Sequence, residues 1–470
     1  MGRWAKRLLD ISAWRQLLGM QPAKPPCAAQ NVPPCLATRE WRWKRGGKTA
    51  ERGPGCFRIM SYNILGDQLA SKHTFLYTGG HHMRWTVRLS LILQEIDGHA
   101  PDVLCLQEVD HYDQLETALR SRGFMSHYAK RTGEYSDGCA TFWRTSKFDL
   151  CCMRSISFSK LRLRENVALV VGLNFQDDPS FPTLWVANTH LLFNPKRGDI
   201  KMAQLHKILN LLDGLSSHGD AQKNGIAILA GDLNTSPHSP IYNFLRRSWL
   251  ECLAHNRARL SGQLKSKKKH RGCGGASEDS TSAGRHKKPK LFANEVATGQ
   301  SLNGASAISL ATTAETGERN VHNDRLMMDN QWTLQSLQLA SGKDDAINGD
   351  SEDERSLQSS SGSSATESDI DSNSWTALSP LKLQSAYFDV LGNEPSFTSW
   401  HKKGRETVDY IWYGTRRHSG DGNKMYHMPI EPVGVLQQPL ARMCSNRLPA
   451  RGWPSDHILI CVDFVQSSAK

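Results

Sequence analysis

Five short strings in this chain end an apolar run on a polar residue suited to phosphate chemistry. They are SYN with Asn63, LQEV with Glu108, NTH with His190, GDLN with Asp232 and Asn234, and SDH with Asp456 and His457. A sixth, VDYIW, places Asp409 inside a predicted strand. Glu, Asp and Asn are hard oxygen donors, which suit Mg2+ and not zinc. Two histidines near carboxylates can bring positive charge to a phosphoryl oxygen, and an Asp can orient and deprotonate a water for in-line attack. A single Asn or His at a strand end is most often a cap or a satisfied hydrogen bond. Six converging strings are hard to explain as caps. There is no Walker-type loop and no G-x-S-x-G elbow, so nucleoside-triphosphate motors and serine hydrolases find no support.

Such residues need strands that deliver them to one end of a sheet, where ligands sit in α/β folds. FRIMSYN (57–63), DVLCLQ (102–107), CATFWR (139–144), ALVVGLN (168–174), LWVANTH (184–190) and IAILAGD (226–232) read as strands. Helical spacing appears in RWTVRLSLILQEI (84–96), HYDQLETALRSRG (111–123) and DIKMAQLHKILNLL (199–212), and Ser239 caps SPIYNFLRR. The pattern stops at about 264 and resumes after 378, with strands at VDYIWY (408–413) and ILICVDF (458–464). Neither half holds a complete set of site residues. The expected organisation is a basic disordered tail over 1–54 and one catalytic domain split between 55–263 and 379–467. A low-complexity insertion over 264–378, with a short helix at 332–340, would lie between the halves.

Composition agrees with that division. Hydrophobic residues are 39% of the 470, below the ~45–50% of a compact chain, so part of the chain is expected not to pack. No apolar run reaches the ~18 residues of a membrane span. The net charge of +12 is uneven: residues 1–54 carry +8, 265–290 carry +7 and 344–378 carry −8. The patterned remainder is still basic, as a nucleic-acid enzyme would be. The runs KKKHR and RHKKPK read as solvated loop charge, a nuclear-localisation signal or an RNA-holding arm. The first 20 residues read either as an organelle-import segment or as a short surface helix. The 11 cysteines lack C-x-x-C pairing and read as buried thiols in a reducing compartment.

In this order the strings resemble the exonuclease–endonuclease–phosphatase superfamily, which shares its fold with DNase I. KRTGEYSDGCATFWRTSKFDL (130–150), ENVALVVGL (165–173), NTHLLFNPKRGDIKMAQ (188–204) and TVDYIWYG (407–414) narrow the resemblance to the carbon catabolite repressor deadenylase group, with Angel and nocturnin as relatives. LQLASG, LKLQSAY and LPARGWPSDH look most like its shorter plant homologs without leucine-rich repeats. The resemblance covers about 57–263 and 379–466. It implies an α/β fold, a four-layer sandwich of two packed mixed sheets flanked by helices.

By this resemblance Glu108 is the main Mg2+ ligand (Mn2+ being an alternative), with Asn63 beside it and Asp456 at a second metal position. Asp232 orients or deprotonates the attacking water, and Asn234 holds water and phosphate. His457 neutralises the scissile phosphate, Asp409 orients that imidazole, and His190 stabilises the transition state. Pro195 matches a proline that packs near the terminal base. Where several of these deadenylases place a base-contacting Phe, this chain has Gly404, and Trp400 is the nearest upstream aromatic that could stand in.

The resemblance implies a Mg2+-dependent 3′→5′ exoribonuclease that shortens poly(A) tails and releases 5′-AMP. Its partner would be single-stranded RNA, and residence in nucleus and cytoplasm is expected. Deadenylase-complex membership rests on analogy alone. Two rivals stand beside it. One is an RNA-end 2′,3′-cyclic or nucleotide phosphatase using the same site; the other is a non-catalytic RNA-binding scaffold.

Overall fold

The computed structural model describes residues 39–44, 55–70, 75–217, 225–264, 338–340, 375–402, 404–416, 429–444 and 447–467. The first half supplies β1 (Trp41–Trp43), β2 (Cys56–Asn63), α1 (Trp85–His99), β3 (Val103–Gln107), α2 (Tyr112–Arg120), β4 (Phe124–Lys130), β5 (Gly138–Arg144) and β6 (Phe148–Ser157). It continues through β7 (Val167–Phe175), β8 (Leu184–His190), α3 (Gly198–Ser217), β9 (Ile226–Asp232), α4 (Pro240–Arg247) and β10 (Trp249–Glu251). The second half supplies β11 (Thr376–Leu378), β12 (Leu381–Ser385), α5 (Ala386–Leu391), β13 (Ser399–His401), β14 (Gly404–Glu406), β15 (Asp409–Arg416), β16 (Ile430–Leu436) and β17 (Ile460–Gln466).

Two mixed sheets result. One has seven strands in the order β1-β16-β17-β2-β3-β5-β4, the other six in the order β12-β15-β9-β8-β7-β6. Strands from both sides of the polar stretch share each sheet. Each sheet holds one parallel pair, β2 with β3 and β8 with β9. Parallel neighbours need a crossover, and α1 and α3 lie on the connections. Both strands of a parallel pair therefore end on the same side, which is what brings site residues together.

Three apolar clusters explain the layers. Phe57, Ile59 and Val103 of one sheet pack against Leu169, Val186, Ile228 and Ile411 of the other, between the sheets. Ile92, Ile96, Leu115 and Leu119 of α1 and α2 cover the outer face of the first sheet. Met202, Leu205, Leu209, Ile241 and Phe244 of α3 and α4 cover the second. The arrangement is the helix–sheet–sheet–helix sandwich expected from the resemblance. At its site end the inter-sheet layer turns polar. Gln107 Nε2 donates to Asn188 Oδ1 at 2.8 Å, and Asn188 Nδ2 donates to the carbonyls of Ala140 and Leu106.

Local chemistry matches the strand and cap reading in several places. Ser239 accepts the Tyr242 N–H at 3.2 Å, with Pro240 at the first helical position. Gly123, at φ 83°, ends the region of α2. Several strands were not anticipated. β6 is an edge strand with a mostly exposed face, so its DLCCMRSIS shows no clean alternation. β1 has only three residues. Within the expected insertion over 264–378 a few residues pack, among them part of the short helix expected at 332–340. Ala377 in β11 is buried, as are Leu339 and Ala340 in the described helical residues 338–340, all in the cluster under α3 and α4. The tail over 1–38, both lysine-rich runs and 332–337 lie outside the described residues.

Candidate active site

Strand register assembles the centre of the site. His190 is paired with Asp232 across the parallel β8–β9 ladder, and Asp232 with Asp409 across β9–β15. Three adjacent strands thus present His, Asp and Asp in one row. In the other sheet Asn63 pairs with Gln107, and Glu108 follows directly. Gly231 permits the close approach beside Asp232. It has φ 138°, and a Cβ there would meet the Thr189 carbonyl oxygen at 2.0 Å. Just beyond the strands, Leu65, Glu108 and Asn234 adopt left-handed backbone at φ 59°, 56° and 47°. For residues other than glycine this conformation costs on the order of 1–3 kcal/mol and concentrates at functional sites.

Asp232 is the hub. Its Oδ2 lies 3.2 Å from Asn63 Nδ2, 3.4 Å from His190 Nε2 and 3.8 Å from His457 Nε2. The Asn234 N–H donates to its Oδ1 at 3.0 Å. Glu108 Oε1 accepts Asn63 Nδ2 at 2.9 Å, and its Oε2 accepts the Gly66 N–H at 3.1 Å. Asn63 Oδ1 is occupied by the Leu65 N–H at 3.1 Å. In this arrangement the Asn63 amide nitrogen bridges two carboxylates, and ligation through its oxygen requires the amide to turn. Asp409 Oδ2 sits 2.8 Å from His457 Nδ1. The Asp409 backbone N–H is itself held by Thr398 Oγ1.

Electrostatics follow from burial. Burial opposes a charge on His457, but Asp409, then Asp232 and Asp456, outweigh it and hold the imidazolium well above its usual range. Burial pushes the Asp456 carboxyl up to about 6, with Glu108 adding to the rise and His457 opposing it. Glu108, Asp232, Asp409 and Asp456 are all buried, with the imidazoles of His190 and His457 among them. Converging buried carboxylates call for a cation, and all-oxygen donors fit a hard divalent one. His190 Nδ1 and Asp409 Oδ1 are buried with no hydrogen-bond partner among the described residues. Asp232, Asp409 and His457 bring ligand atoms within 4.8 Å of one another. The 2.8 Å contact between Asp409 and His457 marks these two as a proton-sharing pair, leaving Glu108, Asp232 and Asp456 as the oxygen-rich side.

The site also uses residues that sequence reading passed over. Asn166 Nδ2 donates to the His190 carbonyl at 2.9 Å. Ser455 Oγ donates to the Asn63 carbonyl at 2.7 Å and accepts the His457 N–H at 3.0 Å, tying the two chain halves together. Lys201, buried in α3, donates to the Asn234 carbonyl at 2.6 Å and to Gln263 Oε1 at 2.7 Å. Only the position of Ser455 beside Asp456 was a signal in sequence. Pro195 is held at its carbonyl by Ser261 Oγ. Trp400 packs on Phe397 at 5.4 Å with Arg405 over its ring, in the cluster of Cys444, Leu448 and Trp453. Trp400 pairs with Arg405 in the β13–β14 hairpin, whereas Gly404 pairs with His401. Successive strand residues alternate faces, so Trp400 and Gly404 lie on opposite faces of the hairpin.

Residues 60–339 match the Endonuclease/Exonuclease/phosphatase family. The chain belongs to that family. It is 31% identical over 427 residues to carbon catabolite repressor protein 4 homolog 5 of Arabidopsis thaliana, covering 86% of this chain and 76% of the relative. It is 40% identical over 221 residues to protein angel homolog 1 of Rattus norvegicus, covering 44% and 33%. Among solved structures, ANGEL2, described as a 2′,3′-cyclic phosphatase, is 25% identical with a TM-score of 0.59, covering 93% of this chain and 99% of that one. The catalytic domain of human nocturnin shares the fold, at 18% identity and a TM-score of 0.50. The family places the chain among hydrolases of nucleic acids or phosphate esters. No helix among the described residues is long and apolar enough to cross a membrane.

Proposed function

We propose that this chain is a Mg2+-dependent 3′→5′ exoribonuclease that shortens poly(A) and releases 5′-AMP. The observation that carries the reading is the buried row His190–Asp232–Asp409 with His457 and Glu108 around it. The likeness to the plant carbon catabolite repressor homolog along most of the chain supports the RNA substrate. Asp232 accepts the proton of the attacking water, which Asn234 helps hold. The water oxygen bonds to phosphorus as the bond from phosphorus to the 3′ oxygen of the penultimate nucleotide breaks. His457, kept cationic by Asp409, and His190 stabilise charge on the non-bridging oxygens. Glu108, Asp456 and, after an amide turn, Asn63 would hold the cation, which would supply positive charge against that developing on phosphate and leaving oxygen, and the 3′ oxygen leaves as a hydroxyl by taking a proton from water. Pro195 is the proposed base-contacting residue, whereas Trp400, packed on Phe397 and on the opposite hairpin face to Gly404, does not replace the missing side chain there. The basic remainder of the chain is consistent with an RNA partner in nucleus and cytoplasm.

A second reading, hydrolysis of 2′,3′-cyclic phosphate at RNA ends, is favoured by the likeness to ANGEL2 and by the missing side chain at Gly404. One experiment separates them. Purified protein with Mg2+ is given 5′-labelled RNA of mixed sequence ending in oligo(A), with either a 3′-hydroxyl or a 2′,3′-cyclic phosphate. The first reading expects a ladder that retreats through the A-tract and is absent in Glu108→Ala. Full-length RNA with only its cyclic end opened transfers the site to the second reading. RNA untouched at either end by wild type refutes both.

A further inference from the structure

Arg88, on α1, is a cation with 0% of its surface exposed, and its hydrogen bonds among the described residues go to Met83, Ile64, Leu65, Pro454 and Asp67. Nη1 donates to the Leu65 carbonyl at 2.7 Å and the Ile64 carbonyl at 3.0 Å, and lies 3.5 Å from the Pro454 carbonyl. Nε reaches the Met83 carbonyl at 3.4 Å, and Nη2 pairs with Asp67 at 3.1 Å. Ile64 and Leu65 directly follow Asn63, and Pro454 stands two residues before Asp456. One guanidinium thus holds the strand exit of the first chain half and the loop of the second.

The Leu65–Gly66 peptide shows how that hold reaches the site. Its carbonyl accepts from Arg88, and its N–H donates to Glu108 Oε2 at 3.1 Å. The Leu65 N–H meanwhile donates to Asn63 Oδ1, and Leu65 is left-handed at φ 59°. Arg88 therefore lies one peptide away from Glu108 and anchors the strained residue beside Asn63; the Leu65 N–H releases Asn63 Oδ1 when that amide turns to ligate. A planar fork with five donors can span these segments, whereas a lysine presents its donors from a single nitrogen.

We propose that Arg88 is a positioning residue for the cation site. It clamps the Leu65–Gly66 peptide and the Pro454 carbonyl, sets the spacing of Asn63, Glu108 and Asp456, and so determines affinity for a hard divalent cation. The proposal rests on the reading that those three residues hold the cation. The test is thermal melting of the full chain against increasing Mn2+, without substrate. Wild type is expected to gain stability with Mn2+, and Arg88→Lys to need about tenfold more for half its gain. A lysine variant with a lower metal-free melting temperature but the wild-type Mn2+ midpoint overturns the proposal, because Arg88 would then only support the fold. If that variant does not fold, Asp67→Asn decides, since among the Arg88 donors it loosens only Nη2, at a partly exposed carboxylate that also faces His111. A midpoint raised about threefold supports the proposal, and an unmoved one overturns it. A wild type with no Mn2+ response overturns the cation reading and the proposal with it, an outcome distinct from an unshifted variant.

Discussion

Replacing Asp409 with Asn should lower hydrolysis about 10²–10³-fold while leaving the fold in place. The substitution is nearly isosteric and keeps the backbone N–H bond to Thr398. What it removes is the charge 2.8 Å from His457 Nδ1. At an effective dielectric of ~20, attraction at that distance is about 6 kcal/mol. Burial of both groups offsets part of it, and loss of one partner from a buried pair typically costs about 3–5 kcal/mol. Part of that falls on the resting enzyme and not on the barrier, so about 3–4 kcal/mol, or two to three decades, should appear in the rate. The sign with pH is also determined. Asp409 is the largest influence raising the His457 pKa against burial. Without it the imidazole pKa moves down, Asp232 and Asp456 alone opposing burial, and the deficit relative to wild type should shrink as pH falls. Single-turnover cleavage of labelled RNA measures the rate, and histidine NMR follows the titration. An unchanged rate refutes the need for an imidazolium. A lost rate with His457 titrating as in wild type refutes the electrostatic role and leaves Asp409 a packing one.

Other expectations are shorter. Asn166→Ala removes the bond to the His190 carbonyl and should lower kcat about tenfold with KM little changed, read from steady-state kinetics. Gly231→Ala places a Cβ 2.0 Å from the Thr189 oxygen at φ 138°. It should cost more than about 3 kcal/mol, seen as a large fall in melting temperature or as insoluble protein. His99 is buried, and burial, with Arg39 and Arg58 nearby, lowers its pKa from 6.5 to about 3. The unfolded chain therefore binds more protons between those values, and stability should fall as pH drops from 6.5 toward 3. His99→Gln should flatten that slope in urea titrations, and an unchanged slope refutes the assignment.

Much of the candidate site was legible because chemistry and position coincide at strand ends. Asn63, Glu108, His190 and Asp232 each close or follow an apolar run, and a strand that enters a core must leave it on a residue that tolerates water. Ser239 was legible because capping is local. β6 was hidden because an edge strand with an exposed face needs no alternating pattern. Residues 339, 340 and 377 sit in a stretch whose average composition is polar, and composition does not show which few side chains find a core.

By itself the sequence determined which atoms are available: carboxylates, amides and imidazoles, the strands that carry them, and the family to which they belong. Only the tertiary structure decided how they face one another. The register that aligns His190, Asp232 and Asp409 depends on pairing between strands far apart in the chain. The opposite facing of Trp400 and Gly404 depends on the hairpin's pairing. Arg88 and Ser455 acquire meaning only when residues 64 and 454 meet. Local spacing is written in one dimension, whereas a hydrogen bond between distant segments exists only after the chain has closed on itself.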